Sequence, residues 1–149
     1  MSEYLETTVD KFIFKVATDR YYSSEGLWAK SDGNLVRIGL SDFLQQRSGD
    51  VAFAEVNKPG TTVNVGDEVA TIETIKVNIS LTSPVRGKIV EVNAAMSTAP
   101  EAINQDPYGE GWLAVIEAND WEADRAALLE PPAYFTLMRG QAEEETKKL

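Results

Sequence analysis

Lys76 is the residue whose neighbours most strongly suggest chemistry. It separates two runs rich in β-branched residues, 69–75 and 77–81, and turn-forming residues lie outside both runs. This pattern predicts a β-hairpin with Lys76 at or beside its tip. A lysine held out on a tight turn can be acylated by an enzyme that leaves other lysines alone. On its own, however, a lysine in a strand or turn is almost always only a solvated charge.

The chain contains no cysteine and no histidine. Their absence removes disulfides, thiolate nucleophiles, Cys/His zinc sites and the usual general base near neutral pH. We therefore expect no catalytic residues, no metal site and no enzyme activity of the chain's own. Redox or transfer chemistry would need a covalently attached group, and a modified Lys76 would provide its place.

Composition and charge narrow the class of partner. A chain of 149 residues suits one domain with a substantial core. A net charge of −10 and a pI near 4.5 argue against nucleic acid. They favour basic patches on partner proteins, although solubility alone could explain the charge. With no signal-peptide pattern and no apolar run of about 20 residues, we expect a soluble cytoplasmic protein without membrane contact.

Short strands punctuated by turns predict an all-β sandwich or barrel. Helices are expected in a few places only: a short one capped by Ser41 and ended by Gly49, a turn near residues 99–103, a helix over 121–129 capped by Asp120, and another over 133–139. Prolines 131 and 132 should end or bend the third of these helices. The expected strands are residues 27–30, 35–38, 51–56, 61–65, 69–72, 88–92 and 112–117.

The neighbourhood of Lys76 resembles the modification site of lipoyl carrier domains. An acidic residue, Glu73, stands three positions before the lysine, and Gly87 stands eleven positions after it in a Ser-Pro-Val-x-Gly turn. Biotinyl carriers flank their lysine with methionines, whereas the flanks here are Ile75 and Val77. The resemblance implies lipoate in amide linkage on Lys76. The residues that would present this lysine are Glu73, Thr74, Ile75, Val77 and Gly87.

A second segment narrows the resemblance. Residues 106–112 read Asp-Pro-Tyr-Gly-Glu-Gly-Trp and could be only a packed turn. With Asn104, however, they resemble the Asn-x-Asp-Pro-Tyr-Gly-x-Gly-Trp signature of the H proteins of the glycine cleavage system, and the resemblance extends from about residue 28 to about residue 137. It implies a mainly β barrel-sandwich hybrid with short peripheral helices and a C-terminal helix. The expected divisions are an N-terminal arm or edge strand (1–20), an H-protein-like lipoyl domain (21–140) and a charged, frayed tail (141–149).

Two departures from that family bear on the cargo. The usual His-Glu-Trp is replaced by Gly26-Leu27-Trp28 after a longer N-terminal arm, and Arg86 stands where serine or asparagine is usual. Arg86 close to the resting arm would favour an anionic, sulfur-bearing load. In these respects the chain resembles the lipoate-binding proteins of a heterodisulfide-reductase-like complex, which implies a carrier in cytoplasmic sulfur oxidation.

Two alternatives stay open: an aminomethyl carrier of glycine cleavage, and an unmodified interaction domain. The expected partners are a lipoate ligase or lipoyl synthesis enzymes, and then either the heterodisulfide-reductase-like complex or glycine decarboxylase, aminomethyltransferase and dihydrolipoamide dehydrogenase.

Overall fold

The computed structural model describes residues 3–147, and the strands among them form three sheets. The largest sheet has the order β3-β4-β5-β11-β10-β7, and a three-stranded sheet has the order β6-β8-β9. The strands are β1 Tyr4–Val9, β2 Phe12–Ala17, β3 Tyr21–Tyr22, β4 Leu27–Asp32, β5 Leu35–Leu40, β6 Val51–Val56, β7 Thr62–Val63, β8 Glu68–Thr74, β9 Asn78–Thr82, β10 Gly87–Val92 and β11 Ala114–Ala118.

The two larger sheets share one core. Alternate residues along their strands point inward, as in β8, where Ala70, Ile72 and Thr74 are buried while Thr71 and Glu73 are exposed. Buried side chains from the six-stranded sheet, such as Ile38 and Ile116, belong to the same apolar cluster. This confirms the expected mainly β fold, in which one face of each strand supplies the core.

The helices are α1 Asp42–Ser48, α2 Ala95–Thr98, α3 Ala102–Gln105, α4 Trp121–Arg125 and α5 Pro131–Lys147. Ser41 caps α1 by accepting a hydrogen bond from the Leu44 N–H (3.3 Å), and Gly49 ends it with a positive φ of 92°. Both caps are as predicted. Asp120 also caps α4 as predicted.

Helix α4 is shorter than the predicted span of 121–129. The chain leaves the helix so that Leu129 can pair with Tyr22 of β3, through reciprocal N–H to carbonyl bonds of 2.9 and 2.7 Å. These two bonds satisfy backbone groups of a short edge strand. Because Tyr22 and Leu129 are far apart in the sequence, the local helical pattern of residues 121–129 could not predict this pairing.

Helix α5 corrects three expectations. The prolines at 131 and 132 begin the helix instead of ending one, because the first turn needs no intrahelical N–H donors. The helix passes through Gly140, and residues 141–147 continue it instead of fraying. Tyr134, Met138 and Ala142 explain the extension, since they lie four residues apart and are all buried. Residues 148 and 149 of the expected tail lie outside the described part of the chain.

The N-terminal segment also differs from its prediction. Strands β1 and β2 pair with each other as a separate two-stranded sheet, which we call the N-terminal hairpin, so β2 is not an edge strand of a larger sheet. The hairpin is fixed to α1 by two hydrogen bonds: the Lys15 N–H donates to the Asp42 carboxylate (2.9 Å), and the Gln46 side chain donates to the Ile13 carbonyl (2.8 Å). Residues 1 and 2 of the expected arm are not among those described.

A helix able to cross a bilayer would need more length and more apolar character than any helix within residues 3–147 has.

Candidate functional site

Lys76 lies in the connection between β8 and β9. The last paired residues of the two strands are Glu73 and Asn78, and residues 74–77 join them. The Lys76 side chain is exposed, and its Nζ donates to the Arg47 carbonyl at the end of α1 (3.2 Å). The predicted hairpin tip is therefore present, with its amine held by a main-chain oxygen of a neighbouring helix.

Thr74 fixes the backbone of the tip. Its hydroxyl oxygen accepts hydrogen bonds from the N–H groups of Lys76 (3.1 Å) and Val77 (3.0 Å). The same hydroxyl lies within donating distance of the carbonyls of Ser48 (2.7 Å) and Val77 (3.0 Å). The Ile75 N–H donates to the Asp50 carbonyl (3.2 Å). The tip is thus attached to the segment that joins α1 to β6.

Gly49 in that segment makes room for the lysine. A Cβ at Gly49 would lie 3.0 Å from Lys76 Cδ, and the positive φ also favours glycine. Asn104 holds the same segment from the other side: its amide donates to the carbonyl of Gly49 (3.0 Å) and its oxygen accepts from the Val51 N–H (2.9 Å). Sequence reasoning treated Gly49 only as a helix terminator and Asn104 only as part of a signature.

Exposed apolar side chains surround the tip. Ile75 is 77% exposed, and Val77 is also largely exposed. Phe53 of β6 is 68% exposed and lies opposite Glu73 in the three-stranded sheet. Large apolar groups clustered at the surface mark protein docking sites. Phe53 was missed because a phenylalanine in an alternating strand is usually interpreted as core.

Gly87 and Arg86 belong to a different part of the molecule. Gly87 begins β10 and pairs with Val63 and Ala118, and any side chain there would overlap the Glu117 carbonyl oxygen. Gly87 therefore lets β10 and β11 pack closely and lies outside the lysine hairpin; its role in presenting Lys76 stays a prediction.

Arg86 is paired with Asp124 of α4. Its backbone N–H donates to Asp124 Oδ2 (2.7 Å) and its Nε to Asp124 Oδ1 (3.0 Å). The Asp124 side chain is only 8% exposed, whereas the Arg86 side chain is 43% exposed, so only the carboxylate partner is shielded from solvent. The expected contact between Arg86 and the arm relied on a positive charge without a partner. In the structure, the carboxylate of Asp124 neutralises that charge.

Two cavities open beside the tip. The first, which we call the aromatic cavity, has a volume of about 190 Å³ and is lined by Lys76, Arg47 and three phenylalanines, Phe12, Phe14 and Phe43. The second, which we call the Glu25 cavity, has a volume of about 490 Å³ and is lined by Glu25, Val77 and Leu81, among others. The Glu25 carboxylate accepts a hydrogen bond from Thr82. Neither cavity could be inferred from the sequence, because their walls come from distant segments.

The segment 106–112 is a packed support behind α1. The Tyr108 hydroxyl donates to the Lys15 carbonyl (2.7 Å) and accepts from the Asp42 N–H (3.3 Å), while the Trp28 indole donates to the Pro107 carbonyl (2.9 Å). Burial raises the pKa of Tyr108, so its hydroxyl stays neutral and can donate. The segment joins the N-terminal hairpin, β4 and α1, and so fixes the positions of the hairpin and α1, which line the aromatic cavity, relative to each other.

The chain is similar in sequence to known proteins along most of its length. A family model described as glycine cleavage H-protein matches residues 20–141. A glycine cleavage system H protein of Carboxydothermus hydrogenoformans is 39% identical over 128 residues, which are 86% of this chain and 98% of that protein. One from Coprothermobacter proteolyticus is 44% identical over 107 residues, or 71% and 84% of the two chains.

A solved structure is similar as well. The crystal structure of a glycine cleavage system H protein from Mycobacterium marinum superimposes with a TM-score of 0.73 at 30% identity. The match covers 80% of this chain and 95% of that one. The region matched by the family model, residues 20–141, contains both larger sheets and the lysine tip and leaves out the N-terminal hairpin.

Proposed function

The chain belongs to the glycine cleavage H-protein family, and from this premise we propose that it is a lipoyl carrier that holds lipoate on Lys76 and ferries an aminomethyl group between the enzymes of glycine cleavage. The carrier itself has no active site. One observation supports the proposal most directly. The amine of Lys76 is exposed, while the backbone that bears it is fixed by Thr74 and by the segment at Gly49.

The residues around Lys76 fit an acyl arm. A ligase needs access to the amine, which an exposed hairpin tip provides, and a fixed backbone reduces the entropy lost when the ligase binds. Apolar side chains beside the tip can receive the hydrocarbon part of the arm. The lipoyl group would supply two sulfurs that exchange between disulfide and dithiol, and the chain has no cysteine that could do so.

The charges near the tip favour a cationic cargo. Glu25 places a carboxylate in the cavity beside Val77, and opposite charges attract by about 1 kcal/mol or more near a protein surface. Arg47 lines the same cavity, but its guanidinium is paired with Glu145. Arg86 is compensated by Asp124, so it offers no free cation for an anionic load. An aminomethyl group, which is protonated at neutral pH, suits this arrangement better than a sulfur-bearing anion.

The partners follow from this proposal. They are a lipoate ligase or lipoyl synthesis enzymes, and then glycine decarboxylase, aminomethyltransferase and dihydrolipoamide dehydrogenase. A cytoplasmic location is part of the proposal, and cell fractionation followed by immunoblotting checks it. A carrier for a heterodisulfide-reductase-like complex is a second candidate, supported by the missing His-Glu-Trp and by the additional N-terminal hairpin.

Intact mass tests the modification. The protein is produced in a host supplied with lipoate, together with Lys76→Arg and the control Lys88→Arg, a lysine exposed on β10. We expect the mass of one lipoyl group on the wild type and on Lys88→Arg, and none on Lys76→Arg. An unmodified wild-type protein, or equal modification of Lys76→Arg, would support the interaction-domain alternative.

A reconstitution assay tests the pathway. The lipoylated protein is added to an extract that lacks its own H protein, and glycine decarboxylation is measured, with the Lys76→Arg protein as control. We expect activity to return only with the lipoylated wild type. No recovery, together with co-purification of iron-sulfur and flavin disulfide-reductase-like subunits, would favour sulfur oxidation instead.

A further inference from the structure

We propose that the N-terminal hairpin and the last turns of α5 form a resting site for the uncharged, oxidised lipoyl arm. The inference rests on the proposed lipoylation of Lys76 and goes beyond it, because it assigns a role to segments outside the family match. The hairpin precedes residue 20, and the α5 residues at the cavity, Ala142, Glu145 and Thr146, follow residue 141.

Lys76 already points toward this cavity. Its side chain is part of the cavity wall, and its Nζ donates to the Arg47 carbonyl. Acylation removes the charge but leaves one N–H on Nζ, so this hydrogen bond can persist in the amide. An arm attached there would begin at the carbonyl of Arg47, a residue that itself lines the aromatic cavity.

The walls of the cavity suit a hydrocarbon and a disulfide. Phe14 packs edge-on against Phe43 with ring centroids 5.4 Å apart, and Phe12 stacks against Phe14 at 6.3 Å. Divalent sulfur makes favourable contacts with aromatic rings. Phe12 remains 42% exposed, so part of its surface is available for an arm to cover.

The rim of the cavity carries a balanced charge pair. Arg47 Nε lies 2.8 Å from Glu145 Oε1, which joins α1 to α5. A compensated pair gives little preference for a charged load, and an apolar wall disfavours one because burying a charge costs free energy. The aromatic cavity therefore suits the arm without cargo, whereas the Glu25 cavity suits a cationic cargo.

The tether makes even weak contacts effective. A group attached through a short flexible link has an effective concentration on the order of millimolar at a nearby site. The N-terminal hairpin itself is fixed, since Asp42 and Gln46 bind its backbone, so the site exists before the arm arrives. A resting arm would be shielded from small reductants and unrelated thiols until a partner binds.

The test uses the complete lipoylated protein with its arm oxidised, after intact mass has confirmed the modification. Reduction by a small water-soluble phosphine is followed by the loss of dithiolane absorbance. The phosphine gives two electrons to the two sulfurs as their bond breaks, and one water molecule supplies the oxygen of the phosphine oxide and the two protons of the dithiol. Phe12→Thr removes an exposed wall of the cavity. Ile13→Thr is the matched control, because Ile13 occupies the next position of β2, is exposed to a similar extent (52% against 42% for Phe12) and does not line the cavity.

We expect Phe12→Thr to be reduced about 3- to 10-fold faster than the wild type, and Ile13→Thr to be reduced at the wild-type rate. In the wild type, NMR of labelled phenylalanine should show that lipoylation shifts the Phe12 and Phe14 ring signals. Equal reduction rates in all three proteins with unshifted rings would overturn the resting site, as would equal acceleration by both substitutions. Absence of lipoyl mass would instead overturn the proposed function.

Discussion

The small side chain of Thr74 makes several of the hydrogen bonds that fix the backbone of the hairpin tip. One hydroxyl accepts from two N–H groups of the tip and can donate to a carbonyl of α1. A binding or modification site works best when its backbone is fixed in advance by such supporting bonds. Thr74 therefore links the stability of the hairpin tip to the presentation of Lys76.

Replacing Thr74 with valine should destabilise the protein and slow its modification. Valine has a similar shape but leaves the N–H groups of Lys76 and Val77 without an acceptor, which costs about 1–3 kcal/mol in the free energy of unfolding. Urea unfolding of the unmodified protein measures this loss. We also expect kcat/KM for lipoylation by a purified ligase to fall.

Thr71→Val is the control, since Thr71 lies on the exposed face of the same strand. It should change neither quantity by a comparable amount. If the two variants behave alike, the tip does not depend on the Thr74 hydroxyl.

The limits of sequence reasoning are visible at this scale. Lys76 and its hairpin could be predicted, because turn residues and β-branched runs are local signals. The pairing of Arg86 with Asp124 could not, because the partners are 38 residues apart. The place of Glu25 beside the tip could not be predicted for the same reason, since it depends on the assembled sheets.

Among the elements, α5 shows how packing overrides local signals. Glycine in a helix costs about 1 kcal/mol relative to alanine, yet α5 continues past Gly140 because Met138 and Ala142 are buried on either side of it. The sequence predicted a helix over 133–139. The helix continues beyond these residues because other parts of the fold bury Met138 and Ala142.

Gly140→Ala should therefore stabilise the protein, by about 0.5–1 kcal/mol in the free energy of unfolding. A Cβ at Gly140 would meet no atom within 4 Å, so the gain comes from the lower entropy of the unfolded chain. Chemical denaturation provides the measurement.

Gly33→Ala is a matched control with the opposite expected sign. A Cβ there also meets nothing within 4 Å, but Gly33 has a φ of +62°, which disfavours alanine. If both substitutions have the same sign, backbone conformation does not explain the difference.

The N-terminal hairpin was only half predicted. Within the expected N-terminal arm or edge strand (1–20), Phe12, Phe14 and Val16 alternate with polar or exposed residues, as the strand β2 requires, whereas β1 contains just one buried residue, Val9. Its pairing with β2 uses backbone hydrogen bonds that any sequence can make. The docking of β2 on α1 uses the side chains of Asp42 and Gln46, which lie far away in the sequence. This explains why the aromatic cavity is absent from a sequence-based description.

At the scale of the whole molecule, buried tyrosines link stability to pH. Burial raises the pKa of Tyr134 to about 12 and that of Tyr22, which stacks on it at 4.4 Å, still further. In the unfolded chain a tyrosine loses its proton near pH 10. The stabilisation is therefore fully present below about pH 10 and is lost as the pH rises through the folded-state pKa.

We expect the free energy of unfolding to fall above about pH 10, by up to about 1.4 kcal/mol per pH unit for each buried tyrosine. Urea unfolding between pH 8 and the alkaline limit measures the slope. Tyr134→Phe loses its bond to Ser41 and should be less stable at neutral pH, but its slope should be shallower. Parallel curves for the two proteins would contradict the assignment to Tyr134.

The net charge of −10 should affect how fast the protein associates with its partners. An acidic carrier should approach basic partner surfaces faster at low salt, and the rate constant should fall by about tenfold or more as salt is added. Stopped-flow binding to a partner enzyme measures this dependence. Glu73→Gln, beside the tip, should lower the rate more than Glu91→Gln, which lies on the exposed side of β10; equal effects would mean that the tip does not guide the encounter.

The double attachment of the tip, through Thr74 and through the Gly49 segment, has a consequence for how much carrier a cell must make. Because the backbone under Lys76 is fixed, the two sulfurs of the proposed lipoyl group would move only by the rotations of the arm itself. The carrier must then detach from one enzyme and bind the next in order to serve both. Flux through such a pathway depends on how many carriers are in transit, so we expect carrier abundance, more than the abundance of any single partner, to set the rate.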